Sequence, residues 1–205
     1  MGRDKATLPF GPELMLQRVV RLAGAAEGVK CIAVVAGKLQ SLPELPPAVV
    51  VVRDADDYLG PLSGLAVGLR AIAGRVDAVF VTGCDVPLLA PAFVERLFEL
   101  LGDSDAVAPT GADGVHPLEA VYRTSVLDRV DSLLAAGERR PRVLLAALDA
   151  YEVNVEDLRQ VDPQLASLQN VNTPENYAAA LAGAGISLSP GLEKLPAQRE
   201  AHAGQ

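Results

Sequence analysis

Ala78-Val79-Phe80-Val81-Thr82-Gly83-Cys84-Asp85-Val86-Pro87 decides the reading of the fold. It opens on an apolar run too short for a helix and without polar alternation, the pattern of a strand buried on both faces. It closes on glycine, aspartate and proline, which end the strand and begin a loop. Outward from this stretch, strand-like and helix-like segments alternate. Residues 29–36 and 48–52 are short apolar runs read as strands. Residues 12–23 read as a helix with Pro12 at its first position. Residues 62–73 read as a helix with Leu62, Leu65, Ala66, Leu69 and Ile72 on one face. Downstream, Pro91 opens a helix carrying Phe93, Val94, Leu97 and Leu101. Segments 106–108, 118–122 and 151–155 are strand candidates; 124–136, 143–148 and 174–181 are helical, the last with Thr173 as N-cap. Strands spaced by helices predict an α/β fold: one doubly wound, mostly parallel sheet covered on both faces. A single domain is expected over 1–183. Residues 184–205, rich in Gly, Ala, Pro and Ser, are expected to form a flexible tail.

The 205 residues suffice for one sizeable core. No apolar run reaches the roughly 18 residues of a membrane span, and no signal peptide is evident, so a cytoplasmic location is expected. Cys31 and Cys84 sit in apolar segments and read as buried thiols of a reducing compartment. A net charge of −8 disfavours nucleic acid or an anionic membrane as partner. A small phosphorylated ligand remains compatible, because local cations and a bound metal reverse the field inside a cleft.

Ligands of open α/β sheets bind beyond the carboxyl ends of the strands. Asp85 and Asp54 lie at two such ends. Carboxylates there suit Mg²⁺, a hard cation usually shared with substrate phosphates; capping a loop or helix is an equally weighted reading. Gly60-Pro61-Leu62-Ser63-Gly64 joins a strand to a helix, where N–H groups can face an anion, although a structural turn is the stronger prior. Lys5 precedes a helix, where a lysine neutralises phosphate as a point charge or is simply solvated. Asn170 and Asn172 alternate on an extended segment, as ligand contacts or as turn residues.

Taken in order, Met1-Gly2-Arg3-Asp4-Lys5, Asp57-Tyr58-Leu59-Gly60-Pro61-Leu62-Ser63-Gly64, Gly83-Cys84-Asp85-Val86-Pro87, Gly114-Val115-His116-Pro117-Leu118, Gly137-Glu138-Arg139-Arg140 and Asn170-Val171-Asn172-Thr173-Pro174-Glu175 resemble the molybdenum cofactor guanylyltransferases. The resemblance implies transfer of GMP from GTP to molybdenum-bearing molybdopterin, with release of pyrophosphate, Mg²⁺ as cofactor, and molybdoenzyme maturation proteins as partners. Carried over, Lys5 contacts the GTP phosphates, Asp54 contacts the nucleotide, Gly60 and Gly64 belong to the nucleotide loop, and Asp85 holds Mg²⁺. Asn170 and Asn172 line the molybdopterin side. The family opens with a strand and a loop of the form Leu-x-Gly-Gly-x-Ser-x-Arg-Met-Gly, and this sequence begins at that Met-Gly. The fold is therefore expected to lack its first strand and glycine-rich loop. That strand would lie between the strands of 29–36 and 78–82. The family's frequent asparagine after its second strand is also replaced, by Val34-Val35-Ala36-Gly37. Two rivals stand beside this reading: a cytidylyl- or sugar-phosphate nucleotidyltransferase, and a non-catalytic nucleotidyltransferase-like binding protein.

Overall fold

The computed structural model describes residues 4–54 and 60–187. Met1-Gly2-Arg3, Asp57-Tyr58-Leu59 and the tail from 188 lie outside the described residues. After a single 3-10 turn, Lys5–Thr7, the elements run β1 (Pro9–Phe10), β2 (Glu13–Leu14), α1 (Met15–Gly24), β3 (Ile32–Gly37), β4 (Val49–Asp54), α2 (Pro61–Ile72), β5 (Ala78–Val81) and α3 (Pro91–Leu100). There follow β6 (Ala106–Gly111), β7 (Gly114–Val115), β8 (Ala120–Arg123), α4 (Leu127–Ala135), α5 (Pro141–Ala146), β9 (Ala150–Asn154), α6 (Val155–Leu158) and α7 (Pro174–Gly183).

The larger sheet holds five strands in the order β5-β8-β6-β7, with β9 added beside β6. Strand β8 is antiparallel to both β5 and β6, while β9 runs parallel to β6. The sheet is thus mixed, where a mostly parallel one was expected. Between β6 and β8 there is no room for a crossover helix, and strands joined so closely return antiparallel. The α3 crossover leaves β5 and β6 pointing the same way, with β8 inserted between them.

Alternation along these strands builds two cores. Ala106, Ala108, Ala120 and Tyr122 face α2, α4 and α5, and the apolar stripe of α2 lies against them. Val107, Val121 and Val153 face the other way, onto Phe93, Val94 and Leu97 of α3. Helices thus cover both faces, as the α/β reading requires.

Strands β3 and β4 form a second, two-stranded parallel sheet, registered from Ile32 opposite Val49 to Gly37 opposite Asp54. Among the described residues no ladder joins β3 to β5. Side chains meet there instead: Ala6, Leu16, Val20 and Val34 form one apolar cluster, with Cys84 packed on it.

Two boundaries differ from expectation. Gly11 adopts φ +67° and turns the chain into a small hairpin, with Pro9 opposite Leu14. The first helix therefore starts at Met15, where the Leu14 N–H donates to Gln17 Oε1 at 2.9 Å, and not at Pro12. At the other end, α7 closes in a glycine cap: Gly185 at φ +68° lets Gly185 N donate to Ala182 O and Ile186 N to Leu181 O. Ile186 then packs on the cluster of Phe10, Met15 and Tyr177, so the packed domain extends past residue 183. No helix among the described residues is long and apolar enough to cross a membrane.

Candidate functional site

Strand β5 delivers Thr82, Gly83, Cys84 and Asp85 to the carboxyl end of the larger sheet. Gly83 is required there by space: a Cβ on it would stand 2.3 Å from Asp85 Oδ1. The glycine two residues before the aspartate lets the carboxylate fold back over the strand end. The backbone around Asp85 is pinned from two directions. Val171 N donates to Asp85 O at 2.8 Å, and Arg18 Nε donates to Pro87 O at 2.6 Å. Arg18 also stacks over the Phe10 ring, 4.7 Å from its centroid, which fixes that guanidinium.

The hydrogen bond from Val171 N to Asp85 O sets the segment 170–172 beside Asp85, and three predicted residues meet there. Lys5 Nζ donates to Asp85 Oδ2 at 2.8 Å and to Asn172 Oδ1 at 2.5 Å, across 80 and 167 residues of sequence. Asp4 holds the turn that carries Lys5, its Oδ1 accepting from Ala6 N at 3.0 Å. Its Oδ2 accepts from Gln40 Nε2 at 2.8 Å, just beyond the end of β3. Asn170 is exposed, one residue to the other side of the buried Val171.

Asp54 ends β4 and meets the first turn of α2, where Ser63 Oγ donates to its Oδ2 at 3.4 Å. Gly60 takes φ +94° and packs under the 137–140 loop; a Cβ on it would lie 3.3 Å from the Cβ of Arg139. The loop follows the structural-turn reading, the stronger of the two its sequence allowed. Leu62 N donates to Arg139 O at 3.3 Å, and Ser63 N and Gly64 N both turn back to Gly60 O. The loop clasps Gly137-Glu138-Arg139-Arg140. There Glu138 accepts from the Arg139 and Arg140 N–H groups and from the Arg140 guanidinium, bonds that hold its carboxyl well below the usual range, at about 2.

Sequence reading missed one residue of this rim. Glu119 stands immediately before β8 and is only 4% exposed, with Oε1 unpaired among the described residues. A buried polar atom without a partner costs about 1–3 kcal/mol. Burial first, and then the Asp85 charge, push its carboxyl up to about 7. Its only sequence signal is a lone carboxylate in Pro117-Leu118-Glu119-Ala120-Val121, inside what reads as a strand. Cys84, by contrast, is no nucleophile. Burial, then the charges of Asp85 and Asp4, raise its thiol to about 11, so it stays protonated.

Helices on both faces of a sheet, with acidic and basic side chains gathered beyond its strand ends, define an α/β protein with a polar ligand site at the carboxyl end of its sheet. Comparison with known proteins narrows this. The chain belongs to the MobA-like NTP transferase domain family, whose profile matches residues 1–155. It is 38% identical over 187 residues to a protein of Mycobacterium tuberculosis named "Probable molybdenum cofactor guanylyltransferase", covering 88% of this chain and 87% of that one. A relative of the same name from Mycobacterium avium is 36% identical over 183 residues, with 87% of each chain covered. Among solved structures, the chain resembles molybdopterin-guanine dinucleotide biosynthesis protein A from Archaeoglobus fulgidus, with TM-score 0.71 and 23% identity over 90% of this chain and 92% of that one. It also resembles 2-C-methyl-D-erythritol 4-phosphate cytidylyltransferase from Thermus thermophilus, with TM-score 0.67 and 16% identity over 89% and 94%. At these identities the two structures establish the fold.

Such a family implies a divalent metal, and the donors present fit one. Asp85 and Asn172 offer oxygen atoms that already hold an ammonium between them. Oxygen donors suit a hard cation such as Mg²⁺. Among the described residues there is no group of three or more His, Cys, Asp or Glu side chains placed to hold a metal ion.

Proposed function

We propose that this chain transfers GMP from GTP to the terminal phosphate of a molybdopterin-type acceptor and releases pyrophosphate. The observation that supports this most is the meeting of Lys5, Asp85 and Asn172 at the end of β5. A cation, a metal-binding carboxylate and an acceptor-side amide there share one corner. Asp85 and Asn172 would hold Mg²⁺, which when bound offsets charge on the phosphates. Lys5 neutralises the phosphates from the other side, leaving Asp85 for the incoming ion. Asp54 contacts the nucleotide from the end of β4. Gly60 shapes the loop beside it by its close approach to Arg139, and Gly64, with open space where a side chain would stand, leaves room for the nucleotide. Asn170 and Asn172 flank Val171 on the acceptor side.

The chemistry is direct substitution at the α-phosphorus, with the acceptor phosphate as nucleophile. The protein contributes position and fixed charge. Its work is cytoplasmic, in contact with molybdoenzyme maturation proteins and with neither nucleic acid nor membrane. The test is incubation of the purified chain with Mg²⁺, molybdopterin carrying molybdenum, and GTP, CTP or ATP in separate arms. Pyrophosphate and the dinucleotide product are then quantified. GTP-dependent product is expected; preference for CTP, or no product with any nucleotide, overturns the guanylyl assignment.

A further inference from the structure

We infer that Glu119 is a second carboxylate for the divalent cation, sharing it with Asp85 from the adjacent strand. The inference rests on the metal-dependent reading above and adds to it a residue that neither the motifs nor the resemblance supplied.

Position comes from register. In the antiparallel pair of β5 and β8, Val81 lies opposite Ala120. One further step sets Glu119 opposite Thr82, at the rim where Gly83, Cys84 and Asp85 follow. Glu119 therefore reaches the same strand end as Asp85 from the neighbouring strand. The two carboxyl groups feel each other's charge.

Burial supplies the second observation. Glu119 is held 4% exposed beside Ala120 and Val121, both fully buried, with Oε1 unpaired among the described residues. A Leu or Met of similar size would fill that space without an orphaned oxygen. Lys5 is bonded to Asp85 and Asn172 and so does not serve Glu119. A divalent cation resolves both conflicts at once: it pairs the orphaned oxygen and cancels the repulsion between the two carboxylates. Mg²⁺ is commonly held by one or two carboxylates plus substrate phosphates, and this pair matches that pattern.

The probe is Mn²⁺, titrated into the full chain with a GTP analogue carrying a methylene bridge between its α- and β-phosphates, and followed by the spectrum of free Mn²⁺. Turnover plays no part in this readout. Glu119→Gln is expected to weaken Mn²⁺ binding roughly 10–100-fold, as Asp85→Asn does, while metal-free analogue binding stays unchanged. A second variant, Glu119→Met, separates ligand from structure. It is expected to raise the melting temperature of the metal-free protein and to lose the Mn²⁺-induced increase. If Glu119→Gln binds Mn²⁺ within twofold of wild type while Asp85→Asn does not, Glu119 is no ligand and the transfer reading stands without it. If Glu119→Met melts lower yet keeps the Mn²⁺ response, the residue is structural and the inference fails. If wild type binds no Mn²⁺ even with the analogue, the inference falls together with the metal-dependent reading.

Discussion

The two sheets are made of similar sequence and end in different surroundings. In the five-stranded sheet, Ala106, Val107, Ala108, Ala120, Val121 and Tyr122 are all fully buried. In the two-stranded sheet, four consecutive valines of β4 run past solvent, with Val51 44% exposed and Arg53 exposed beside it. From sequence, 106–108 and 118–122 read only as strand candidates, whereas the valine run 48–52 reads as a buried strand. A run of valines reports β-propensity; burial is decided by how many strands and helices arrive on either side. The larger sheet has helices on both faces, whereas among the described residues β3 and β4 pair as strands with each other alone.

The largest effect that sharpens this contrast is in the cores. Phe93 is fully buried under the larger sheet, and Phe93→Ala should cost about 3–5 kcal/mol. Val51→Thr on the smaller sheet should stay within about 0.5 kcal/mol. Urea unfolding of both variants measures the difference, and similar losses would erase the distinction between the sheets. Next, the sheet ends differ in chemistry. Asp85→Asn, at the end of β5, should lower GMP transfer by about 10²–10³-fold with the fold intact. Initial rates under saturating Mg²⁺-GTP decide this, and near-normal turnover would remove Asp85 from the metal role.

A third effect comes from Glu119. Its folded pKa of about 7 lies above the ordinary 4.5, so the folded state holds the proton more tightly than the unfolded state. Stability from this group is fully present below about pH 4.5, falls as pH rises to about 7, and levels off beyond. The total is on the order of 3 kcal/mol. Asp85 and Tyr122 are the titratable groups it interacts with. Subtracting the stability profile of Glu119→Gln from that of wild type between pH 4 and 8 isolates it; a flat difference would mean Glu119 titrates as if in water. The smallest effect is that of Lys5→Ala on folding. Lys5 is half-exposed on a short turn, so stability should change by about 0.5 kcal/mol or less while the KM for GTP rises. A collapse in melting temperature would make Lys5 a structural tie between the sheets.

Much of the architecture was legible. The apolar run 78–82 became β5, and the one-sided pattern of 62–73 became α2, because both signals are local and both segments found the partners their patterns ask for. Pairing direction was not legible, since it follows from the short return between β6 and β8 and from β8 slipping between β5 and β6. The start of α1 was lost to a left-handed glycine that sequence reading passed over in favour of Pro12. At the site, Lys5, Asp85 and Asn172 could be named singly from motif and position, but their contact is a product of the fold. The structural-turn reading of the Gly60–Gly64 loop anticipated that Ser63 N and Gly64 N turn back to Gly60 O, whereas the Leu62 N–H bond to Arg139 O, from a distant loop, lay beyond any spacing rule. Glu119 escaped notice because a strand pattern tolerates one polar residue on a face, and only burial reveals what that residue lacks.

Asp4 and Lys5 are adjacent in the chain and grip opposite shores. One carboxylate oxygen of Asp4 answers Gln40 beyond β3, and the Lys5 ammonium answers Asp85 beyond β5. A single turn of backbone thus measures the distance between two sheets that share no ladder. Whatever draws Lys5 away from Asp85 also tugs the turn that Asp4 caps, and through Gln40 the arginine bonded to its carbonyl, Arg53. A ligand that displaced Lys5 would pull on this turn, and the exchange rate of the Ala6 N–H, which Asp4 holds, is the measurement that would register it.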